Sequence, residues 1–411
     1  MQKIYSYAII GAGLIGSAAA KYIATNNNNV ILIGPKEPEN KLDHNGIFAS
    51  HYDEGRITRI SDSDTTWAYL AKKSILNYNS IFNLSKIDFY KEVGQVSAGP
   101  KSNNVDSYIN SIIESSKKVT YDYFHVNKEK IYTRYSNLKF PDNSDFILQT
   151  NNAGHISPRR LIKAQIKIFT DLNGTYLPSI VNNIKKNNSS YFVIETNDNH
   201  EVEAQKILVC GGGFTNFTKI LPFNLPLGVR GRTIVMGEIK NMKLSGYESY
   251  PSIIHKPDMP GRHYTYILPA IKYPDKKYYI KIGGSNYYTN INSYNESIAW
   301  FKSNGNDEEI DAITDELNTI YPKEIFEKYI TSTCITTWTR SGYPIIDEIE
   351  KNLFVSVGGN GSAAKSSDYI GKISSDLILD YEWDTEVNKD LFKLEIENVI
   401  LHAQHFKNNR Q

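Results

Sequence analysis

Residues Gly11-Ala12-Gly13-Leu14-Ile15-Gly16 stand between two apolar runs, Tyr5–Ile10 and Leu14–Ala24. The first run reads as a buried strand and the second as a small-residue helix, so the glycines form a tight strand-to-helix turn. Gly11 permits the turn, and Gly13 lets backbone approach a pyrophosphate. Gly16, followed by Ser17-Ala18-Ala19-Ala20, lets the helix pack closely on the strand. The pyrophosphate would rest on unpaired N–H groups at the helix N-terminus. The motif therefore points to a dinucleotide, without saying which one.

Working outward, Val30–Ile33 reads as a second strand, which completes the opening of a βαβ unit. A dinucleotide site commonly places Asp or Glu at the end of that strand to accept from the ribose. Here the sequence reads Ile33-Gly34-Pro35-Lys36-Glu37, so the acid is missing at Gly34. Lys36 is the candidate for a 2′-phosphate, which would favour NADP. Alternatively Glu37, backbone or water holds the ribose of FAD, and Lys36 is a solvated loop residue.

Further along, Trp67–Leu84 has helical spacing, and the chain then reads as polar and irregular to about Asp145. Ser157-Pro158 opens a helix running to about Leu172. Strands are expected over Thr175–Ile180, Tyr191–Thr196 and Lys206–Cys210, ahead of Gly211-Gly212-Gly213. The region from Arg232 to Ser285 is β-rich, with Thr233–Met236, Tyr264–Leu268 and Tyr278–Ile282. Glu308–Leu317 reads as a helix. The last portion returns to a strand, Leu353–Val357, a turn, Gly358-Gly359-Asn360-Gly361, and a helix, Lys365–Leu379. This order predicts an α/β nucleotide domain built from separated stretches, interleaved with a mainly antiparallel second domain.

Composition excludes several classes. The 411 residues carry 46 Lys+Arg against 45 Asp+Glu, a balance that suggests neither nucleic acid nor a membrane surface as partner. The 2 cysteines, Cys210 and Cys334, are too far apart in the chain to suggest a disulfide scaffold. No apolar run reaches the roughly 18–20 residues needed to span a bilayer. Strand one begins almost at the N-terminus, which leaves no room for a signal peptide, and the C-terminus carries no targeting signal. A cytoplasmic protein is expected, with no metal site.

Four further features carry chemistry. His51-Tyr52-Asp53-Glu54-Gly55-Arg56-Ile57-Thr58-Arg59 places two arginines three residues apart. They suit bidentate binding of a carboxylate, or salt bridges with Asp53, Glu54 or Asp62. Lys281 is the single charge in the strand Tyr278–Ile282, on the same face as Tyr279. It is either a solvated lysine or a fixed cation near a redox centre. Cys334 is either a small buried apolar group or a reactive thiol. The Gly358–Gly361 turn could offer N–H groups to an anionic ring.

Together these residues resemble the D-amino-acid-oxidase-like flavoprotein superfamily, and within it the monomeric sarcosine oxidase and N-methyltryptophan oxidase group. The resemblance covers most of the chain, least so over 90–150 and after 385. Ser50–Arg59 is similar to the group's Ser-His-His-Gly-Asp-Thr-Arg-Ile-Ile-Arg segment. The resemblance implies that Arg59 and Lys365 bind the substrate carboxylate and that Arg56 lies near the flavin. It further implies that Lys281 activates oxygen, that Tyr266 lines the pocket and that Cys334 bonds the flavin. Ser50, His51, Val181 and Gly211 join the two glycine turns, Gly11–Gly16 and Gly358–Gly361, as cofactor-binding positions, with Lys36, Arg56 and Lys365. The group's pocket tyrosine is Thr336 here, its histidine beyond the oxygen lysine is Ser285, and its Thr-Pro-Asp segment is Thr339-Arg340-Ser341. These changes imply a larger or more polar pocket.

The implied architecture is a Rossmann-like FAD-binding domain (1–85, 150–225 and 325–385). It is interleaved with a mainly antiparallel β (α+β) substrate domain (86–149 and 226–324) and followed by a C-terminal extension (386–411). The implied activity is oxidation of a carboxylate-bearing amine by a monomer, with FAD as cofactor, covalently held through Cys334, and dioxygen as acceptor. A dehydrogenase of the same fold, an NADP-dependent reductase reading Lys36 and a non-catalytic flavin binder remain open alternatives.

Overall fold

The computed structural model describes residues 3–101, 108–120, 122–187, 191–240, 246–258, 264–284 and 287–395. Ser285 and the part of the expected extension beyond 395 lie outside the described residues.

The opening motif folds as its residues require. Strand Ile4–Ile10 turns at Gly11 into helix Leu14–Ala24. Gly11 has φ +106, and a Cβ there would lie 2.3 Å from the Cys210 carbonyl oxygen. A Cβ on Gly16 would lie 1.9 Å from the Gly11 carbonyl oxygen, so both positions exclude any side chain. Ile4–Ile10 is flanked in parallel by Val30–Ile33 and Glu201–Val209. Thr175–Leu177 extends the sheet beyond Val30–Ile33, and Leu353–Val357 joins Glu201–Val209 on the other side. Antiparallel strands Val181–Lys186, Phe192–Thr196 and Ile345–Glu350 complete eight strands. The buried apolar ends of these parallel strands, Ala8–Ile10, Val30–Ile33, Ile207–Val209 and Leu353–Val357, need cover on both faces. Helices Leu14–Ala24, Pro158–Asp171 and Ala363–Ile378 pack together.

The small residues of Ser17–Ala20 serve this helix packing as well as the strand. A Cβ on Gly371 would lie 2.4 Å from the Ala18 Cβ. At the same contact a buried carboxylate, Asp368, takes Lys21 as ion partner, with Tyr22 Oη at 2.7 Å and Asn77 Nδ2 at 2.8 Å. Asn77 also explains why the run Trp67–Leu84 is not one helix. Helices Thr65–Leu76 and Tyr78–Ser85 break at this asparagine, whose amide is drawn to Asp368 and Tyr22.

A second, nine-stranded sheet holds the largest apolar core, closed by helix Asp307–Ile320. The stretch expected to be irregular contributes strands Gln95–Pro100, Phe124–Val126 and Ser144–Gln149, and helices Tyr108–Val119 and Lys128–Arg134. Its spacing was present in Tyr108, Ile109, Ile112 and Val119, which are buried on one helix face. Strand Gly228–Ile239 pairs with Phe326–Trp338 over its whole length. The sheet boundary therefore falls after Trp338 and not at 325, because backbone pairing carries Phe326–Trp338 into the second sheet. A small antiparallel sheet of Arg56–Thr58, Gly154–Ile156 and Tyr90–Lys91 lies apart from both.

The missing acid has a steric reason. A Cβ on Gly34 would lie 2.3 Å from the Ala12 backbone nitrogen and 2.7 Å from its Cβ. The end of the second strand is pressed onto the glycine turn, so no carboxylate fits. Gly34→Asp, which supplies the missing acid, is expected to destabilise the protein by about 1–3 kcal/mol or more through overpacking. The midpoint of urea denaturation measures this; an unchanged midpoint would contradict the packing described.

Candidate active site

Both glycine turns open onto one cleft. Gly11, Ala12, Gly13, Leu14 and Ile15 line it from the first turn, and Gly358, Gly359 and Gly361 from the second. The cleft holds roughly 1550 Å³ of empty space, its solvent-open part included. An ordinary small-molecule pocket has about 300–1,000 Å³. Gly13 has only His51 Nδ1, at 4.0 Å, near the place of a Cβ, so its open side faces free space. Gly16 does not line the cleft; its task is the close turn contact.

The helix ends show what fits there. Four helices that start away from the cleft are capped by side chains, those of Asp64, Ser157, Ser293 and Asn306. The two helices that start at the cleft have Gly13 and Ser362 as N-caps, and neither receives a side-chain hydrogen bond. The first N–H groups of the Leu14 helix are left for a ligand, while that of Ala363 turns back to the Gly359 carbonyl at 3.0 Å. Two uncapped, positive helix ends over a glycine cradle suit a dinucleotide pyrophosphate.

Of the other expected cofactor positions, Ser50, His51, Arg56, Val181, Gly211 and Cys334 line the same cleft. Burial, with Arg159 and Arg56, pushes the His51 imidazole down to about 3, so it is neutral. Lys36 is exposed and outside the lining. Glu37 is engaged by Arg159, with Nη2 at 2.6 Å. Asn360 is buried and braces its turn, accepting from Thr339 N at 2.9 Å and donating to Gly358 O at 2.6 Å. Cys334 lines this cleft and also an adjoining cavity that holds Lys281.

Lys281 is only 1% exposed, which rules out the solvated reading. Its ammonium donates to Asp53 Oδ2 at 2.6 Å and to the Gly55 carbonyl. The same carboxylate is the ion partner of Arg56 and accepts from Tyr273 Oη at 2.8 Å. Burial and the neighbouring Arg56 push the Lys281 ammonium well below its ordinary range, with Cys334 opposing them. Arg56 also donates to Ser50 O at 2.8 Å, which fixes the loop between the two cavities.

Arg59 and Lys365 meet as expected, but around an aspartate of this chain. Asp62 Oδ2 lies 3.0 Å from Arg59 Nη2 and 3.1 Å from Lys365 Nζ. The salt-bridge reading of both arginines thus holds in the structure. Burial would raise the Asp62 carboxyl; Lys365 and Arg59 overcome it and hold it below the usual carboxylate range. Lys365 itself is lowered by burial, with Asp62 opposing. Neither cation lines the two cavities described. Tyr266 packs against Lys281, with Nζ 5.5 Å from the ring centre. Its phenol is pushed up to about 12 by burial. Thr336 lines the main cleft and accepts from Trp338 Nε1 at 2.9 Å.

Sequence reasoning missed the hub role of Asp53, together with Tyr273, Arg230 and the neutral His155. The signal for Arg230 is strand alternation: it pairs with Thr336, and Arg232 pairs with Cys334, so these side chains share a face. His155 sits on the strand paired with Arg56–Thr58. Burial, then Lys91 and Lys281, push its imidazole down to about 4 from 6.5. The unfolded chain therefore takes up a proton below 6.5 that the folded chain refuses until about 4. Stability contributed by neutral His155 is complete above that window and falls by about 3 kcal/mol across it. His155→Gln is expected to flatten the loss of stability between pH 6.5 and 4 in urea melts. An unaltered slope would show that His155 does not titrate this way.

Comparison with known proteins agrees with the geometry. No curated protein matches the chain. Among solved structures, NikD, "an unusual amino acid oxidase essential for nikkomycin biosynthesis", superposes with TM-score 0.73 at 15% identity, over 96% of this chain and 98% of that one. Amadoriase I (fructosyl amine: oxygen oxidoreductase) from Aspergillus fumigatus gives 0.72 at 15%, over 97% and 91%. Glycine oxidase from Geobacillus kaustophilus gives 0.72 at 16%, over 95% and 98%. At these identities the likeness shows the shared fold. The family model described as FAD dependent oxidoreductase matches residues 6–377, which takes in both glycine turns, Lys281 and Cys334. The chain belongs to the DAO family of FAD-dependent oxidoreductases.

Proposed function

We propose that this protein oxidises the C–N bond of a small amine that carries a carboxylate, with dioxygen as electron acceptor. The balance is amine CH–NH plus O₂ to imine C=N plus hydrogen peroxide; water then hydrolyses the imine. FAD, when bound, supplies the two-electron acceptor for this chemistry. The chain's residues supply position and field. The uncapped ends at Leu14 and Ala363 hold the anionic half of the cofactor, and Cys334, which reaches both cavities, is the attachment point for a thioether.

One observation carries the oxygen assignment. A buried ammonium is costly unless held, yet Lys281 is kept in the cavity that adjoins Cys334 and Arg56. A fixed cation there stabilises the negative charge that develops on oxygen. The carboxylate on the substrate is supported by the charge of the adjoining cavity's wall, where Arg56 and Lys281 stand with Asp53. A second reading, a dehydrogenase using another acceptor, is favoured by Asp53 alone, since its carboxylate offsets the Lys281 charge at 2.6 Å.

Peroxide release across N-methyl, cyclic and ordinary amino acids tests the reaction. Lys281→Met is expected to slow peroxide formation by roughly 10²–10³-fold while dye-coupled turnover persists. Equal retention of both rates would favour the dehydrogenase. Acid precipitation of the wild type should give a yellow pellet, and Cys334→Ser a colourless one; a colourless wild-type pellet would remove the thioether.

A further inference from the structure

The two cations suited to a substrate carboxylate are already engaged. Arg59 and Lys365 share Asp62 Oδ2, and all three groups are withdrawn from water. A substrate carboxylate added there would place a second negative charge beside a buried aspartate, where like charges penalise each other. Arg230 is different. Its guanidinium lies 4.3 Å from the Tyr288 ring centre and 4.6 Å from that of Trp338, so it packs on two aromatic rings. Among the described residues, no carboxylate contacts its N–H edges.

Three contacts place Arg230 beside the cofactor cleft. It is the register partner of Thr336, which lines the cleft and donates to the Arg230 carbonyl at 3.4 Å. Trp338 Nε1 donates to the same threonine at 2.9 Å. The Trp338 ring lies 3.6 Å from the place of a Cβ on Gly361, another lining residue. Tyr288 is exposed, so the cluster reaches from the cleft to solvent. Stacking spares the guanidinium edge for planar, two-point recognition of an oxyanion.

We propose that Arg230, held against Tyr288 and Trp338, binds the carboxylate of the substrate, and that Asp62 closes the Arg59–Lys365 pair to it. This rests on the reading of the substrate as a carboxylate-bearing amine. The recognised chemistry is a monocarboxylate whose amine end extends inward past Thr336.

The test is titration of the holoenzyme with benzoate and with benzamide, its uncharged counterpart, followed by the flavin difference spectrum. Wild type is expected to prefer benzoate. Arg230→Met should weaken benzoate by about 10- to 100-fold, the cost of a charge-assisted bidentate contact, and leave benzamide unchanged. Asp62→Asn should leave benzoate binding as it was. Benzoate affinity that survives Arg230→Met and tightens in Asp62→Asn would overturn the proposal and return the carboxylate to Arg59 and Lys365. Wild type that does not distinguish benzoate from benzamide would overturn the carboxylate reading itself, and this proposal with it. If Arg230→Met does not fold, Arg230→Gln carries the same expectation.

Discussion

The pairing of Gly228–Ile239 with Phe326–Trp338 is the constraint on which the site depends. Its register sets Arg230 opposite Thr336, Arg232 opposite Cys334, and Met236 opposite both Ile330 and Lys281. Side chains alternate along a strand, so a slip of one residue would turn Cys334 and Thr336 away from the cofactor cleft. The register is fixed by close fits on the opposite face. A Cβ on Gly231 would meet the Trp300 indole at 2.5 Å, and one on Gly237 the Phe326 ring at 2.5 Å. Trp300 Nε1 also donates to the Cys334 carbonyl at 3.0 Å, which pins the end of the strand that lines the cleft.

Two buried aspartates organise the charge around this face. Asp53 joins Arg56 to Lys281, and Asp62 joins Arg59 to Lys365. Each pair of cations thereby keeps a net positive charge without facing bare burial. Asp53 stands where the resembling group carries glycine, so the environment of Lys281 is a property of this chain. Arg59 and Lys365, expected from the resemblance to clamp a carboxylate of the substrate, hold an internal one.

What could be read from sequence follows from how local each signal is. The glycine turns were legible because φ, small residues and strand–helix order are local, and Leu14–Ala24, Val30–Ile33 and Leu353–Val357 have their expected bounds. Lys281 stood out as a lone charge in an apolar strand. Its partner did not, because Asp53 lies 228 residues away, and only tertiary register chooses among the nearby acids. Strand Phe326–Trp338 was hidden by its Thr-Ser-Thr-Cys run, which shows no apolar alternation until the chain reaches the site. Without that strand, Arg230 had no visible neighbour. Gly34 showed the limit of a motif: the absent acid was evident, while its cause, contact with Ala12, is a tertiary fact.

The Asp368 cluster bears on how the molecule comes into being. Its partners Lys21, Tyr22 and Asn77 lie near the start of the chain, up to 347 positions before the aspartate. During synthesis, the opening βαβ unit leaves the ribosome long before the helix that seals it. Until that helix arrives, Lys21 has no counter-ion and the Ala18–Ala19 surface has no cover. Long-range closure of this kind is slow, and it exposes apolar surface in the interval. The nucleotide-binding half is thus the first part of the protein to be made and among the last to be finished.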